Sequence, residues 1–565
     1  KDYRTLLGQG VVARFDAETY GDSIRFARLG DGSLGGKARG LAFMNSMLIK
    51  YRLYDKYPDV RVLIPRTIVI ATDYFDAFIR GNGLKYVISK ELSDDEILSE
   101  FIGSTLPTEL TEQLRVYIRT VHSPLAVRSS SKLEDSHYQP FAGIYSTYMI
   151  PYVENEDQML RLLFKAIKSV YASVYFAESR AYIQSSQNLI SEEKMAVVVQ
   201  EVCGTEQDGL FFPTLSGVAR SINYYPIGDE AAEEGVCNVA MGLGKLVVDG
   251  GRTLRFSPKY PQKVLQTSTP ELALRETQNE VLALDLNPEA FKTSIDDAVN
   301  IRRLDLSDIA QFRNTRFVAS TWDRENERIS DSPFAKGHKV ITFNGILKYD
   351  TFPLAEIVSD ILKLGAEEMR CPVEVEFAVN MDVPSGEKRI FNLLQIRPII
   401  NNGDNRPIDW SQVTTDDALI YAENALGVGN MCDIRDIIYV KPSAFSSLAT
   451  ERIAEELLRL NADMRNEQRG YVLVGAGRWG SSDPFLGVPV KWTHISEAKV
   501  IVECNLPDFN VEPSQGTHFF QNVTSLGIGY MTINPSAGDG IFRLDPLGAM
   551  AAGYDGEFLR RVHFG

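Results

Sequence analysis

A chain of 565 residues, 44% hydrophobic and 24% charged, is too long for a single core and too apolar for a disordered chain, so at least two folded domains are expected. Its formal net charge of −16 argues against a general binder of nucleic acid or of anionic membranes, both of which need clustered Lys and Arg. No apolar run reaches membrane-spanning length, and the opening Lys1-Asp-Tyr-Arg is not a signal peptide. Five cysteines without metal-type spacing fit reduced thiols, so a cytoplasmic location is expected.

Residues 1–20 carry little information, and with no initiator Met they read as the end of an upstream region. Then Leu29-Gly-Asp-Gly-Ser-Leu-Gly-Gly-Lys37-Ala-Arg-Gly-Leu41 leads into an apolar-periodic stretch through Ala42, Phe43, Met47 and Leu48. A glycine-rich loop entering a helix aims backbone N–H groups at an anion, with Lys37 as a point charge. It is not a P-loop, because the glycine spacing is wrong and Ala38 stands where a Mg²⁺-binding hydroxyl is needed. Val62 to Ala71 reads as one buried strand and Tyr74 to Ile79 as a short helix. Next, Leu125, Ala126 and Val127 suit a strand feeding a loop, which Arg128 opens ahead of Ser129, Ser130 and Ser131 and the acidic pair Glu134 and Asp135. A guanidinium among hydroxyls suits phosphate oxygens, although an isolated R-S-S-S also reads as a solvated helix-capping turn.

Together, G-G-K-A-x-G-L and V-R-S-S-S-x-x-E-D followed by F-A-G-I-Y-S-T resemble the lysine loop and signature loop of the phosphoenolpyruvate synthase and pyruvate phosphate dikinase family. The resemblance implies an ATP-grasp nucleotide-binding domain in which Lys37 and Arg128 contact nucleotide phosphates. Asp157 to Gln184 has helical periodicity and resembles the helix that follows the signature loop. Arg180 on it is either turned toward the active site, as the resemblance implies, or a surface arginine. Met195-Ala-Val-Val-Val-Gln200-Glu201-Val202 is too apolar for an edge strand, and Ser216 to Ile222 reads as its neighbour. The resemblance makes Gln200, Glu201 and Val202 candidates for the adenine contact; plain core strands would look the same. Gly242 to Gly250 resembles a family turn, with Lys245 replacing the usual glutamate. Residues 284–343 match no motif and include the polar run Asp323 to Arg328.

After a helix over 354–369, Val373-Glu-Val-Glu376-Phe and Ile390-Phe-Asn-Leu-Leu-Gln395-Ile-Arg397-Pro read as a hairpin. Alternation puts Glu374 and Glu376 on one face of the first strand, and Gln395 and Arg397 on one face of the second. Carboxylate and amide oxygens suit a hard cation that also shares phosphates, so Glu376 and Gln395 are candidate Mg²⁺ ligands and Arg397 a candidate phosphate ligand. Ordinary cross-strand Glu–Arg pairing is the alternative. E-F followed by L-L-Q-x-R-P resembles the terminal hairpin of the family's nucleotide domain.

A linker over 401–412 separates this region from a second unit, 413–565. The family's phosphohistidine motifs are absent as such, and too few residues follow the linker for both a histidine domain and a pyruvate barrel. The second unit has an amphipathic helix near 447–468, a strand at 471–474 and Gly475-Ala-Gly-Arg-Trp-Gly480. That spacing is a dinucleotide fingerprint in form, but no helix can follow through Asp483-Pro-Phe-Leu-Gly-Val-Pro489, so the reading fails. Gln515-Gly-Thr-His518, with Leu526-Gly-Ile528 after it, resembles a distant swivelling phosphohistidine domain in which Phe519 and Phe520 replace two alanines. His518 is thus either a phosphoryl carrier or a histidine packed against rings beside an acceptor pocket walled by Gly475 to Gly480.

The expected fold is α+β: a two-lobed ATP-grasp domain over 21–400 and a smaller C-terminal α/β domain, for which a diverged swivelling phosphohistidine-type domain is one reading. The expected function is ATP-dependent phosphotransfer with ATP and Mg²⁺ toward a small-molecule or protein acceptor. The alternative is a non-catalytic ATP sensor acting through a partner protein.

Overall fold

The computed structural model describes the chain except residues 1–11, 22–23, 89, 91, 132–142, 186–192, 400–413, 417, 428–430, 432 and 565. Glu134, Asp135 and the proposed linker therefore lie outside the described residues. The architecture is mixed α and β, built on three large sheets.

The first sheet runs Ala13–Arg14, Phe26–Leu29, Thr67–Ile70, Met195–Glu201, Leu125–Ser131, Thr147–Ile150. Its centre explains the unbroken apolar run at 195–199, because both faces are covered. Met195, Val197 and Val199 enter one hydrophobic cluster, and Ala196 and Val198 enter the other. The strand Leu125–Ser131 continues through Arg128 and all three serines, so Arg128 does not open a loop as expected. Its partner strand extends the ladder to Ser131 opposite Met195. The buried hydroxyls are satisfied: Ser129 Oγ accepts from Lys37 Nζ at 2.9 Å, and Ser130 Oγ donates to the Leu34 carbonyl at 2.8 Å.

The second sheet runs Leu254–Phe256, Val236–Ala240, Leu215–Arg220, Val373–Asn380, Arg389–Pro398, Val60–Leu63. Two expectations are corrected here. The stretch 62–71 is not one strand: Val60–Leu63 pairs in the second sheet and Thr67–Ile70 in the first. Pro65 lies between them, where a residue without an N–H cannot continue a ladder. Nor is Leu215–Arg220 the neighbour of Met195–Glu201. A hairpin of Thr205–Gln207 and Leu210–Phe212 carries the chain across, and Leu215–Arg220 pairs with Val236–Ala240 and Val373–Asn380. The periodic stretch from 157 forms two helices, Glu156–Ser173 and Ala177–Ser185. The polar run from Asp323 caps a hairpin of Ala319–Asp323 and Arg328–Ser330.

The third sheet has the order Asn424–Leu426, Gly529–Ile533, Ala498–Cys504, Tyr471–Ala476, Asp436–Val440, Leu559–His563, Ala552–Asp555, with the three pairings from Gly529–Ile533 to Asp436–Val440 parallel. The amphipathic helix Thr450–Asn466 covers it through Ile453, Leu457 and Leu460. After Tyr471–Ala476 comes the two-residue strand Arg478–Trp479, paired with Gly487–Val488, where a dinucleotide site would need a helix. The glycines have packing reasons instead. A Cβ on Gly475 would fall 2.0 Å from the Trp479 ring, and one on Gly480 would fall 2.4 Å from the Phe519 ring.

This sheet's helices share a hydrophobic cluster with the first sheet. The Tyr182 and Trp492 rings meet edge-on at 5.3 Å, and half-buried Glu178 accepts from the Trp492 and Thr493 N–H groups.

Candidate nucleotide site

The strands Val373–Asn380 and Arg389–Pro398 pair as a hairpin, with Glu374 opposite Arg397 and Glu376 opposite Gln395. An irregularity between Glu376 and Phe377 sets Phe377 opposite Leu393, so Leu394 is skipped. The Leu394 carbonyl accepts from Arg128 Nη1 at 3.0 Å. Arg128 Nη2 donates to Gln395 Oε1 at 2.8 Å and to Glu376 Oε2 at 3.4 Å, while Nη1 also reaches Gln200 Oε1 at 3.4 Å. One guanidinium thus joins the first and second sheets. A hairpin on one sheet supplies the oxygens and a strand on the other supplies the cation.

Behind Arg128 the charges alternate. Arg397 Nε donates to Glu374 Oε1 at 2.7 Å, Arg397 Nη2 to Glu376 Oε1 at 3.0 Å, and Arg220 Nε to Glu374 Oε2 at 2.6 Å. The Arg397 and Glu374 side chains are each 2% exposed, so this pairing is far from water. Burial alone would raise the pKa of Glu376. The His518 imidazole and the Arg397 and Arg128 guanidiniums outweigh burial and hold the carboxyl well below the usual carboxylate range. Burial likewise opposes ionisation of Glu374, and Arg220 and Arg397 overcome it.

The sign for stability follows. Both carboxyls are lowered, so their stabilisation is complete above the ordinary glutamate value of 4.5 and drains away as the pH falls below it. Thermal unfolding measured from pH 7 down to pH 3 is expected to show a steepening loss of stability below about pH 4.5. The loss should be shallower in Glu374→Gln; equal slopes would contradict the assignment.

Arg128, Gln200, Glu201, Val202, Glu376 and His518 all line one cavity of about 190 Å³, walled by apolar groups that include Met149, Val218, Leu243 and Phe377. An apolar slot with convergent polar groups suits a flat base attached to a charged tail. The N–H groups of Glu201 and Val202 are committed to the Arg66 and Pro124 carbonyls, at 2.9 and 2.8 Å, and cannot serve an adenine ring without rearrangement. On the far wall Lys245 is held by Asp249 at 3.1 Å and Asp297 at 3.3 Å. Burial would lower its pKa, but these two carboxylates raise it, so it is a fixed cation in the cleft.

Four expected residues, Lys37, Arg180, Gln395 and Arg397, are not among those lining this cavity, and Gln395 is buried beside it against Arg128. Lys37 is buried in the first turn of the helix Gly35–Lys50 and donates to Ser129. The glycine-rich loop is docked on the strand Leu125–Ser131: a Cβ on Gly35 would fall 1.7 Å from the Ser130 carbonyl oxygen, and the Ala38 N–H donates to Ser130 Oγ at 3.1 Å. Arg397 is enclosed by the two glutamates described above. Arg180 Nη2 donates to the Leu92 carbonyl at 3.4 Å, on a helix whose Tyr182 meets the Trp492 ring.

His518 begins the helix His518–Ser525, capped by Thr517, whose Oγ1 accepts from the Phe520 N–H at 3.0 Å. Its Nε2 stands 3.6 Å from Glu376 Oε1. Among the described residues, the two neighbouring rings pack elsewhere. Phe519 lies on Gly480, and Phe520 packs among Tyr224, Tyr530 and the Arg220 guanidinium.

Residues 31–413, more than half of the chain, match the family described as pyruvate phosphate dikinase, AMP/ATP-binding domain. The chain belongs to that family. Its dikinase-type domain contributes every residue lining the cleft except His518, which comes from beyond the match. Over 190 residues the chain is 30% identical to the uncharacterized phosphotransferase YvkC of Bacillus subtilis, covering 34% of this chain and 20% of that one. It is 26% identical over 253 residues to a probable phosphoenolpyruvate synthase of Staphylothermus marinus, covering 40% and 27%. It is 25% identical over 239 residues to a phosphoenolpyruvate synthase of Aeropyrum pernix, covering 38% and 25%. The aligned parts therefore span about a quarter or less of those relatives' lengths. Among the described residues no helix is long and apolar enough to cross a membrane.

Reading the sequence missed Asp249, a variable position of the turn Gly242 to Gly250, Asp297, which belongs to no motif, and Arg220, which looked like the end of a core strand. It also missed Gly143. That residue has φ +66°, and a Cβ on it would lie 2.4 Å from His518 Nδ1. Gly143→Ala is expected to push the imidazole off Glu376 and to cost roughly 1–2 kcal/mol of backbone strain. An unshifted His518 ring signal by NMR together with an unchanged melting curve would contradict this placement.

Proposed function

We propose that this chain is an ATP-dependent phosphotransferase in which the dikinase-type domain is an ATP-grasp fold closing on Mg·ATP between its two main sheets. The observation that carries the reading is the convergence of Glu376 and Gln395 from paired strands on Arg128, at 3.4 and 2.8 Å, with Arg128 and Glu376 lining an apolar-walled cleft.

Among the described residues no group of three or more His, Cys, Asp and Glu side chains could hold a metal ion. Mg²⁺ typically uses one or two protein oxygens together with substrate phosphates and water, and the oxygens of Glu376 and Gln395 fit that pattern. When bound, the ion would neutralise charge developing on the transferred phosphoryl group. Glu376 and Gln395 would hold it, and Arg128, which now lies against both, would turn to the phosphates. Lys37 and Arg397 complete the proposed phosphate set, Lys37 at a helix N-terminus and Arg397 once Glu376 has another cation to serve. Phosphoryl transfer needs little covalent help from a protein, so positioning and positive charge carry most of the rate. His518, in the same cleft, is the proposed first acceptor, with Nε2 bonding phosphorus as the bond to the nucleotide oxygen breaks.

One observation favours the alternative, a non-catalytic ATP sensor: the C-terminal unit rests on the cleft through His518 and Glu376, so nucleotide binding would alter that docking. Incubation with β- and γ-labelled ATP separates the two. ADP or AMP release, with an acid-labile, base-stable phosphopeptide containing His518 that disappears in His518→Asn, supports the phosphotransferase. Stoichiometric ATP binding with no turnover and no modification supports the sensor.

A further inference from the structure

A second and larger cavity, of about 500 Å³, lies between the dikinase-type domain and the C-terminal unit. It sits outside the carboxyl ends of three parallel strands of the third sheet. Tyr471–Ala476 leads to Gly477 and Arg478, Ala498–Cys504 to Asn505, and Gly529–Ile533 to Asn534, all of which line it. Open parallel sheets bind ligands at this end. The opposite wall comes from Asn238, Gly250, Gly251 and Thr253.

The cavity shares its dividing wall with the nucleotide cleft. Within 515–518, Gln515, Gly516 and Thr517 face the large cavity and His518 faces the cleft. Within 245–251, Lys245, Val248 and Asp249 face the cleft, and Val247, Gly250 and Gly251 face the large cavity.

The lining defines a ligand chemistry. Asn505 Nδ2 donates to Asn510 Oδ1 at 2.6 Å, and Asn534 Nδ2 reaches the same oxygen at 3.4 Å, so three carboxamides form one cluster. Each carboxamide offers two donors and an acceptor, and this cluster leaves part of that capacity for a ligand. Of the two arginines, Arg255 is ion-paired and Arg478 donates to backbone carbonyls. Arg255 is held by Glu230 at 2.5 and 3.0 Å, and Arg478 Nε donates to the Glu512 carbonyl at 2.7 Å. The Glu512 carboxyl has charged neighbours but no hydrogen-bond partner among the described residues, and enclosure pushes its pKa up. With Arg255 neutralised by Glu230 and the Glu512 carboxyl beside Arg478, the wall disfavours a phosphate or carboxylate ligand. Amides beside an acceptor carboxyl suit hydroxyl groups.

We propose that this cavity binds a neutral, polyhydroxylated small molecule of the size of a mono- or disaccharide, held by the Asn505–Asn510–Asn534 cluster and by Glu512 accepting from a ligand hydroxyl. The proposal stands apart from the phosphotransferase reading, since it concerns binding alone, and Mg·ATP affinity measured on the same samples keeps the two distinguishable.

The test is saturation-transfer NMR on the whole chain without nucleotide, using D-glucose, D-ribose, myo-inositol and maltose as probes, with glucose 6-phosphate as the anionic comparison. Saturable binding of at least one neutral probe is expected. It should weaken at least tenfold in Glu512→Gln and in Asn510→Leu, and glucose 6-phosphate should bind more weakly than glucose. Asn510→Leu, tested alongside, covers the case in which Glu512→Gln misfolds, and retained Mg·ATP binding certifies the fold of each. No saturable binding by any neutral probe, binding unchanged in both variants, or preference for the phosphorylated sugar would overturn the proposal.

Discussion

Glu376→Ala is expected to lower ATP turnover by roughly 10²–10³-fold, the usual consequence of removing one preorganised electrostatic group from a phosphoryl-transfer site. Three cationic or ionisable partners lose their shared anion at once, since Glu376 faces Arg128 at 3.4 Å, Arg397 at 3.0 Å and His518 at 3.6 Å. The proposed metal would also lose its only carboxylate. Glu376→Gln separates the two contributions. It preserves shape and an oxygen ligand while removing charge, so it should retain more nucleotide binding than Ala but little more turnover. Steady-state release of ADP and AMP gives the comparison, and turnover within a few-fold of the parent in both variants would remove Glu376 from the site.

The largest expected effect on stability belongs to Glu374, which touches no part of the cleft. It lies between Arg220 and Arg397, at 2.5 and 2.7 Å, with all three side chains at most 4% exposed. A buried ion pair contributes modestly as a whole, because desolvation offsets attraction, but deleting one member strands the other. Glu374→Ala strands two guanidiniums, and a loss of about 3–5 kcal/mol is expected. Urea unfolding of parent and variant, followed by far-ultraviolet circular dichroism, measures it. A loss below about 1 kcal/mol, the scale of a surface pair, would mean that the guanidiniums find water or other partners. Replacing Glu374, Arg220 and Arg397 together with apolar residues should be milder than Glu374→Ala alone.

The terminal hairpin was legible because strand alternation is strict: once Glu376 and Gln395 are on inward faces, pairing opposes them. The skipped Leu394 was not legible, since an irregularity in the ladder leaves no mark in the alternation, yet it is what brings a backbone carbonyl to Arg128. The three serines after Arg128 looked like a loop because hydroxyls are rarely buried in a central strand. They are tolerated here because Lys37 and the Leu34 carbonyl, about ninety residues earlier, satisfy two of them. Such a partnership is visible only in three dimensions. Pro65 carried a readable signal that the length of the apolar run obscured. Arg180 was placed by analogy with a helix on which, in this chain, it donates to the Leu92 carbonyl and Tyr182 meets the Trp492 ring. The glycines from Gly475 to Gly480 show the reverse case: their spacing imitates a phosphate-binding fingerprint while their purpose is to admit the Trp479 and Phe519 rings.

The central claim, that Mg·ATP binds where Glu376 and Gln395 meet Arg128, is tested most directly by isothermal titration calorimetry of ATP with and without Mg²⁺, on the parent and on the double variant Arg128→Ala/Glu376→Ala. The parent is expected to bind ATP in a Mg²⁺-dependent manner, and the double variant to lose that dependence together with most of the affinity. Undiminished, Mg²⁺-dependent binding in a double variant that retains its fold would contradict the site.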